Sequence, residues 1–229
     1  MRMASDLSFN LQLDKVVSTA SQMVGWGMRT FRSRGSHLMM VILKSLVQPH
    51  LDYCSKLWSP CLQGHINKLE DVQKSLVLKM WGRNLTGLDY WDKLQQLRLY
   101  SQERRREKYQ IIFIWKISQG LVSGYQIPFT KNIRTGRWSV PAQVARQGVP
   151  ATVRVAKEGS LRVRGCQLFN LLPAVLRNSD HGDTLMFKNN LDHYLGSVPD
   201  QPTHQGLTRA ALTNSLIHQV PMMGGWQYH

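Results

Sequence analysis

The sequence predicts a mainly α fold, in which a bundle of helices leads into a basic region of loops and short strands and then into further C-terminal helices. Three observations predict it. Apolar residues recur at helical spacing in several long stretches, starting with Leu13, Val16, Val17, Ala20, Met23, Val24, Gly27 and Phe31. Gly136, Gly148, Gly159, Gly165, Pro141 and Pro150 punctuate residues 131–165 too densely for a helix. The chain is 42% hydrophobic, enough to bury a core, and is not a disordered tail.

The first helix carries Arg29, Arg32 and Arg34 at its C-terminal end, where cations suit the helix dipole. Gly35 stops it, and Ser36 is placed to cap the next. Residues 37–47 are apolar nearly all round, which predicts a buried helix. Pro49 interrupts it or kinks a continuation to Trp58, and Ser59-Pro60 ends the segment. Ile66, Leu69, Val72, Leu76 and Met80 mark a third amphipathic helix, stopped at Gly82. Residues 89–97 form a short helix, and residues 101–118 a longer one capped by Ser101. Beyond the basic region, residues 162–172 form a helix that ends before Pro173. Residues 184–195 form the last, with Leu185, Phe187, Leu191 and Leu195 apolar.

The 229 residues include 29 Lys and Arg against 14 Asp and Glu, a net charge of +15. Of that excess, +7 lies between Lys131 and Gly165, whereas residues 166–229 are net −1. A charge this positive points to a polyanionic partner, most often nucleic acid. No run approaches the roughly 18 apolar residues of a membrane span, and the N-terminus shows no signal-peptide core. Cys54, Cys61 and Cys166 are too few for a disulfide framework and suit a reducing compartment. The expected location is therefore intracellular, in cytoplasm or nucleus.

No P-loop, dinucleotide fingerprint, nucleophile elbow or zincin motif is present. The adjacent carboxylates Glu70-Asp71 sit mid-helix, where a solvated face explains them. Two-metal phosphoryl transfer needs carboxylates converging on metals roughly 3.5–4 Å apart, and no motif brings two together. His50, Cys54, Cys61 and His65 offer four nitrogen and sulfur ligands. Their spacing is not that of common zinc sites, and Cys54 reads better as a small apolar side chain. No catalytic residue, metal, cofactor or small-molecule substrate is expected.

Basic and aromatic residues do interleave. Arg29, Phe31, Arg32 and Arg34 form one group; Arg104, Arg105, Arg106, Lys108 and Tyr109 a second; Arg134, Arg137, Trp138 and Arg146 a third. Arg154, Lys157, Arg162 and Arg164 follow. Guanidinium forks fit phosphate oxygens, and aromatic faces stack on unpaired bases. The candidate nucleic-acid-binding residues are Arg29, Arg32, Arg34, Arg104, Arg105, Arg106, Arg134, Arg137, Arg162 and Arg164.

Several strings resemble non-LTR (LINE-type) retrotransposon reverse transcriptases of the Jockey-like lineages. LKSLVQPHLDYCSKLWSP (Leu43 to Pro60) resembles the segment after the polymerase palm, and MRTFRSR (Met28 to Arg34) an aromatic-basic helix end before it. INKLEDVQKSLVLKMWG (Ile66 to Gly82) and LDYWDKLQQLRLYSQERRREKYQIIFIWKISQGLV (Leu88 to Val122) resemble the helices that follow. EGSLRVRGCQLFNLLPAVLRN (Glu158 to Asn178), FKNNLDHYLGSVPDQP (Phe187 to Pro202) and TNSLIHQ (Thr213 to Gln219) resemble the C-terminal blocks. The blocks run in family order over residues 7–220.

The resemblance implies a thumb-like helical region at 7–83, a helical extension at 84–130, a basic C-terminal region at 131–200 and a flexible tail at 201–229. It implies contact with template or target RNA and DNA, and no membrane partner. The family's palm carries an aromatic-x-Asp-Asp box, which this chain lacks, so no catalytic residue is carried over. The expectation is a truncated reverse-transcriptase fragment without endonuclease or palm, not catalytic alone. The alternative is a structural or interaction domain that needs the missing palm to fold. Some lineages end in a Cys/His knuckle, and no such spacing follows residue 166.

Overall fold

The computed structural model describes residues 9–32, 35–60, 62–80, 88–123, 130–132, 138–139, 159–178, 183–202 and 213–222. The fold is mainly α. The chain forms two compact units, residues 1–103 and 104–229.

In the first unit, helix α1 (Asn10–Thr30) buries Leu13, Val16, Ala20, Val24 and Gly27, the stripe its spacing predicts. Gly27 permits a close approach: a Cβ there would stand 3.0 Å from Ile42 Cγ2. Helix α2 (Ser36–Ile42) follows, with Gly35 rather than Ser36 at the cap position. The segment apolar all round is not wholly buried: Met39 and Ile42 face the core, while Val41 is exposed. It passes through a π-helical turn, Leu43–Val47, into α3 (Gln48–Asp52). The cause is Pro49. A proline has no N–H to donate, and its ring crowds the carbonyl one turn back. The wider π-turn before it relieves that crowding, as such bulges do within helices.

Helix α4 (Gln63–Met80) packs on α1, α2 and the short helix α5 (Tyr90–Gln96). Asp89 caps α5, accepting from the Tyr90 N–H at 2.6 Å. The shared core joins residues of α1, α2, α3 and α4 to Trp58, Tyr90, Leu94 and Leu99. Glu70 is not on a solvated face. It is buried, accepting from Tyr90 Oη at 2.5 Å and from the Gln102 N–H at 2.7 Å, whereas its neighbour Asp71 is exposed. Beside it, Gln73 Nε2 donates to the Tyr100 carbonyl at 3.0 Å, and Gln102 Nε2 donates to Gln73 Oε1. This polar seam ties residues 90–102 to α4, so the expected boundary at residue 83 separates no compact units.

The chain enters the second unit within the first turn of α6 (Gln102–Ser118). Gly120 ends α6 in the left-handed region at φ 69°, with its N–H on the Ile117 carbonyl and the Leu121 N–H on Lys116. That is a Schellman closure, which favours glycine. Two-residue strands β1 (Thr130–Lys131) and β2 (Trp138–Ser139) pair antiparallel, Thr130 opposite Ser139. Helix α7 (Leu161–Asn170) is capped by Ser160 and packs beside β2 and α10 (Leu216–Met222). Helix α8 (Ala174–Arg177) packs on α9 (Thr184–Ser197), which Asp183 caps. The core here includes Ile111, Ile114, Leu168, Phe169, Leu191 and Leu195, and Trp115 stacks on Phe187 at 4.5 Å.

The C-terminal part is not all a loose tail. Thr213, Asn214, Ser215, Leu216 and Gln219 are buried, and α6 binds them through side chains. Residues 203–212 and 223–229, also in the expected tail, lie outside the described residues. Among the described residues no helix is long and apolar enough to cross a membrane.

Candidate nucleic-acid interface

The structure sorts the ten candidate arginines by burial. Arg34, Arg134 and Arg137 lie outside the described residues. Arg104 is 0% exposed. Its Nη2 donates to the Pro199 carbonyl at 2.9 Å, the Asn214 carbonyl at 3.1 Å and Gln219 Oε1. Arg106 is also buried. Neither side chain stands at a surface where phosphate could reach it. The basic face expected on the first turns of α6 is therefore mostly interior, and the contact the sequence assigned to phosphate is made to backbone carbonyls.

Arg164 is half-buried and engaged. Its Nη2 lies 3.0 Å from Glu107 Oε1 and donates to Ser215 Oγ at 3.4 Å. Glu107, 2% exposed on its side chain, also accepts from Ser215 Oγ at 2.6 Å and from the Leu216 N–H at 2.9 Å. Lys108 pairs with Asp192. Arg105 lies over the Tyr109 ring, 5.3 Å from its centroid, a cation–π geometry. Burial pushes the Cys166 thiol up to about 12, against the opposing pull of half-buried Arg162, whose charge favours the thiolate.

The remaining candidates, Arg29 and Arg32, are exposed at the C-terminal end of α1. Neither makes a hydrogen bond or ion pair among the described residues. Close to them stands a residue the sequence reasoning passed over. Trp26 is 46% exposed, and Phe31 meets it edge to face at 6.2 Å and 89°. Trp26 and Arg29 are three residues apart, hence neighbours on the helix surface. Arg29 Nη1 lies back along the helix, 3.7 Å from where a Cβ on Gly25 would stand.

The signal for Trp26 was available. At 100° per residue it falls about 120° from the centre of the apolar stripe of α1, on the polar face. Lys15, Ser18 and Gln22 run along that same face, and all three are exposed. From Lys15 to Leu51 the sequence has five Lys and Arg and no carboxylate. The nearest acid on the helix, Asp14, is engaged by Lys68 at 3.0 Å.

No group of three or more metal-ligating side chains occurs among the described residues, and Cys61 of the His50, Cys54, Cys61, His65 set lies outside them. Cys54 is half-buried against the first core at φ 53°. No family model, no curated protein and no solved structure matches the chain.

Proposed function

We propose that the chain is the thumb-like and C-terminal, non-catalytic region of a non-LTR retrotransposon-type reverse transcriptase, and that it holds RNA and DNA chiefly by phosphate contact. The reading is supported by the family blocks in order over residues 7–220 and the net charge of +15. The observation that carries the nucleic-acid part is the exposed polar face of α1 after Asp14, with no carboxylate from Lys15 to Thr30 and with Arg29 and Arg32 unengaged among the described residues. Such contacts position a strand without reading its sequence. The chain does no chemistry in this reading, because it has no aromatic-x-Asp-Asp box and two of its buried carboxylates, Glu70 and Glu107, serve internal hydrogen bonds. Its place of work is where such templates are, cytoplasm or nucleus.

The test is a titration of RNA and of RNA–DNA duplex against the chain over a range of salt. Log affinity is expected to fall linearly with log salt, by roughly 0.7–0.9 per phosphate neutralised. No binding near 50 mM salt, where phosphate contacts are strong, sinks the reading. Metal-dependent primer extension by the pure chain would sink its non-catalytic part.

One observation favours the alternative, a domain that needs a partner to cover it. Tyr53 and Leu57 are each 61% exposed, and Leu62 is 54% exposed, around the connection between α3 and α4. A self-associating chain without nucleic-acid affinity, seen by light scattering, would support that reading instead.

A further inference from the structure

We infer that the polar face of α1 is a stacking site for unpaired nucleobases, so that the first unit prefers single-stranded over duplex nucleic acid. The inference rests on the proposed nucleic-acid reading and adds the class of strand. Its elements are Trp26, Phe31, Arg29, Arg32 and Lys15.

A stacking site for a single strand needs a flat aromatic face, cations on either side to hold the backbone, and room for a base to lie down. Trp26 supplies the face. It is a large apolar side chain on the polar side of its helix, in T-shaped contact with Phe31. Arg29 and Arg32 flank it on one side and exposed Lys15 lies on the other. Lys15 to Arg29 spans about 21 Å at the helical rise of about 1.5 Å per residue. Room comes from Ser18, exposed and small on the same face, while the Arg29 side chain lies back over Gly25. Gln22, one turn before Trp26, is exposed and uncharged. Its amide both donates and accepts hydrogen bonds, so it suits the edge of a base laid on the ring. No carboxylate between Lys15 and Leu51 repels a phosphate.

Two simpler accounts explain less. Arg29 in the last turn suits the helix dipole, but that account assigns nothing to Arg32 beyond the helix or to Trp26. A single exposed tryptophan needs no explanation by itself. Here it coincides with two arginines that have no partner among the described residues. A duplex cannot use the ring, because its base faces are already stacked on one another; an unpaired strand can.

The test uses the full chain and fluorescence anisotropy with a labelled ten-nucleotide oligouridine and a ten-base-pair duplex. Trp26→Ala is expected to weaken oligouridine binding on the order of 10-fold, the loss of one base stack, and to leave duplex binding unchanged. Trp26→Phe should restore most of the loss. Arg29→Gln with Arg32→Gln should weaken both ligands and flatten the single-strand salt slope by about 1.4. Circular dichroism of each variant guards against misfolding, which a surface position should not cause. If the wild-type chain binds both ligands and Trp26→Ala leaves their ratio unchanged, the stacking site is wrong while the wider reading stands. If the wild-type chain binds neither, both are wrong.

Discussion

Replacing Glu107 by Gln tests whether the C-terminal segment is held by a buried charge. The carboxylate makes three hydrogen bonds: to Arg164 Nη2 at 3.0 Å, Ser215 Oγ at 2.6 Å and the Leu216 N–H at 2.9 Å. Arg164 and Ser215 use Oε1, and Leu216 uses Oε2. An amide keeps one acceptor and turns the other into a donor that faces a donor. A hydrogen bond to a charged group contributes about 1.5–3 kcal/mol. Removing one member of a fully buried ion pair costs about 3–5 kcal/mol. The Arg164 side chain keeps 15% of its exposure, so solvent softens the loss and the lower end applies. The expected cost of Glu107→Gln is about 3 kcal/mol, or roughly 150-fold in the opening equilibrium at about 1.4 kcal/mol per decade. Urea unfolding followed by circular dichroism measures the total. Hydrogen exchange of amides 214–220 shows whether the loss falls on the C-terminal segment. A cost below about 0.5 kcal/mol, the level of an ordinary surface substitution, with unchanged exchange at those amides, would refute the reasoning. A cycle with Arg164→Met should give a coupling above about 0.5 kcal/mol, as for residues in one network.

Three further outcomes are expected. Arg98 sits at φ 51° in a Schellman closure of α5, with its N–H on Gln95 and that of Leu99 on Leu94; Arg98→Gly should stabilise the first unit by about 1 kcal/mol, read as a higher urea midpoint. Gly27→Val should cost about 1–3 kcal/mol by overpacking, since even a Cβ meets buried Ile42 at 3.0 Å; a neutral result in the same assay would mean the α1–α2 contact yields. Burial pushes the Cys166 thiol up to about 12, so the folded chain keeps its proton when the unfolded chain, near pH 9, has lost it. That group's stabilisation is therefore complete below pH 9 and declines as pH rises toward 12, and iodoacetamide at about pH 8.5, near the ordinary thiol range, should label half-buried Cys54 well ahead of Cys166.

Much of the helical fold was legible because each helix announces a face. The stripes of α1 and α4, the short helix within residues 89–97 and the stop before Pro173 follow from spacing and local chemistry alone. The interior polar contacts were not legible. Arg104 and Arg106 look like a solvated basic turn because their partners, the Asn214 and Pro199 carbonyls for Arg104, lie about a hundred residues away in sequence. Glu70 looks like an exposed acid for the same reason, since Gln102 is 32 residues off. Charge clusters identify cations but not which of them face water. Trp26 is the opposite case: its exposure follows from its angle on the helix, on the polar face of α1.

The clamp on the C-terminal segment also sets an order of events during synthesis. The first unit closes on itself by residue 103, with no pairing longer than its own length. The second needs Arg104 and Glu107 to meet residues 214–219, separations of 108 to 115 residues. Loops that long close slowly, and domains completed early fold first on the ribosome. A nascent chain thus carries a finished first unit while α6 waits, Arg104 and Glu107 still in water, for residues 213–219 to emerge. A stop codon a few positions before Thr213 would leave that wait without an end.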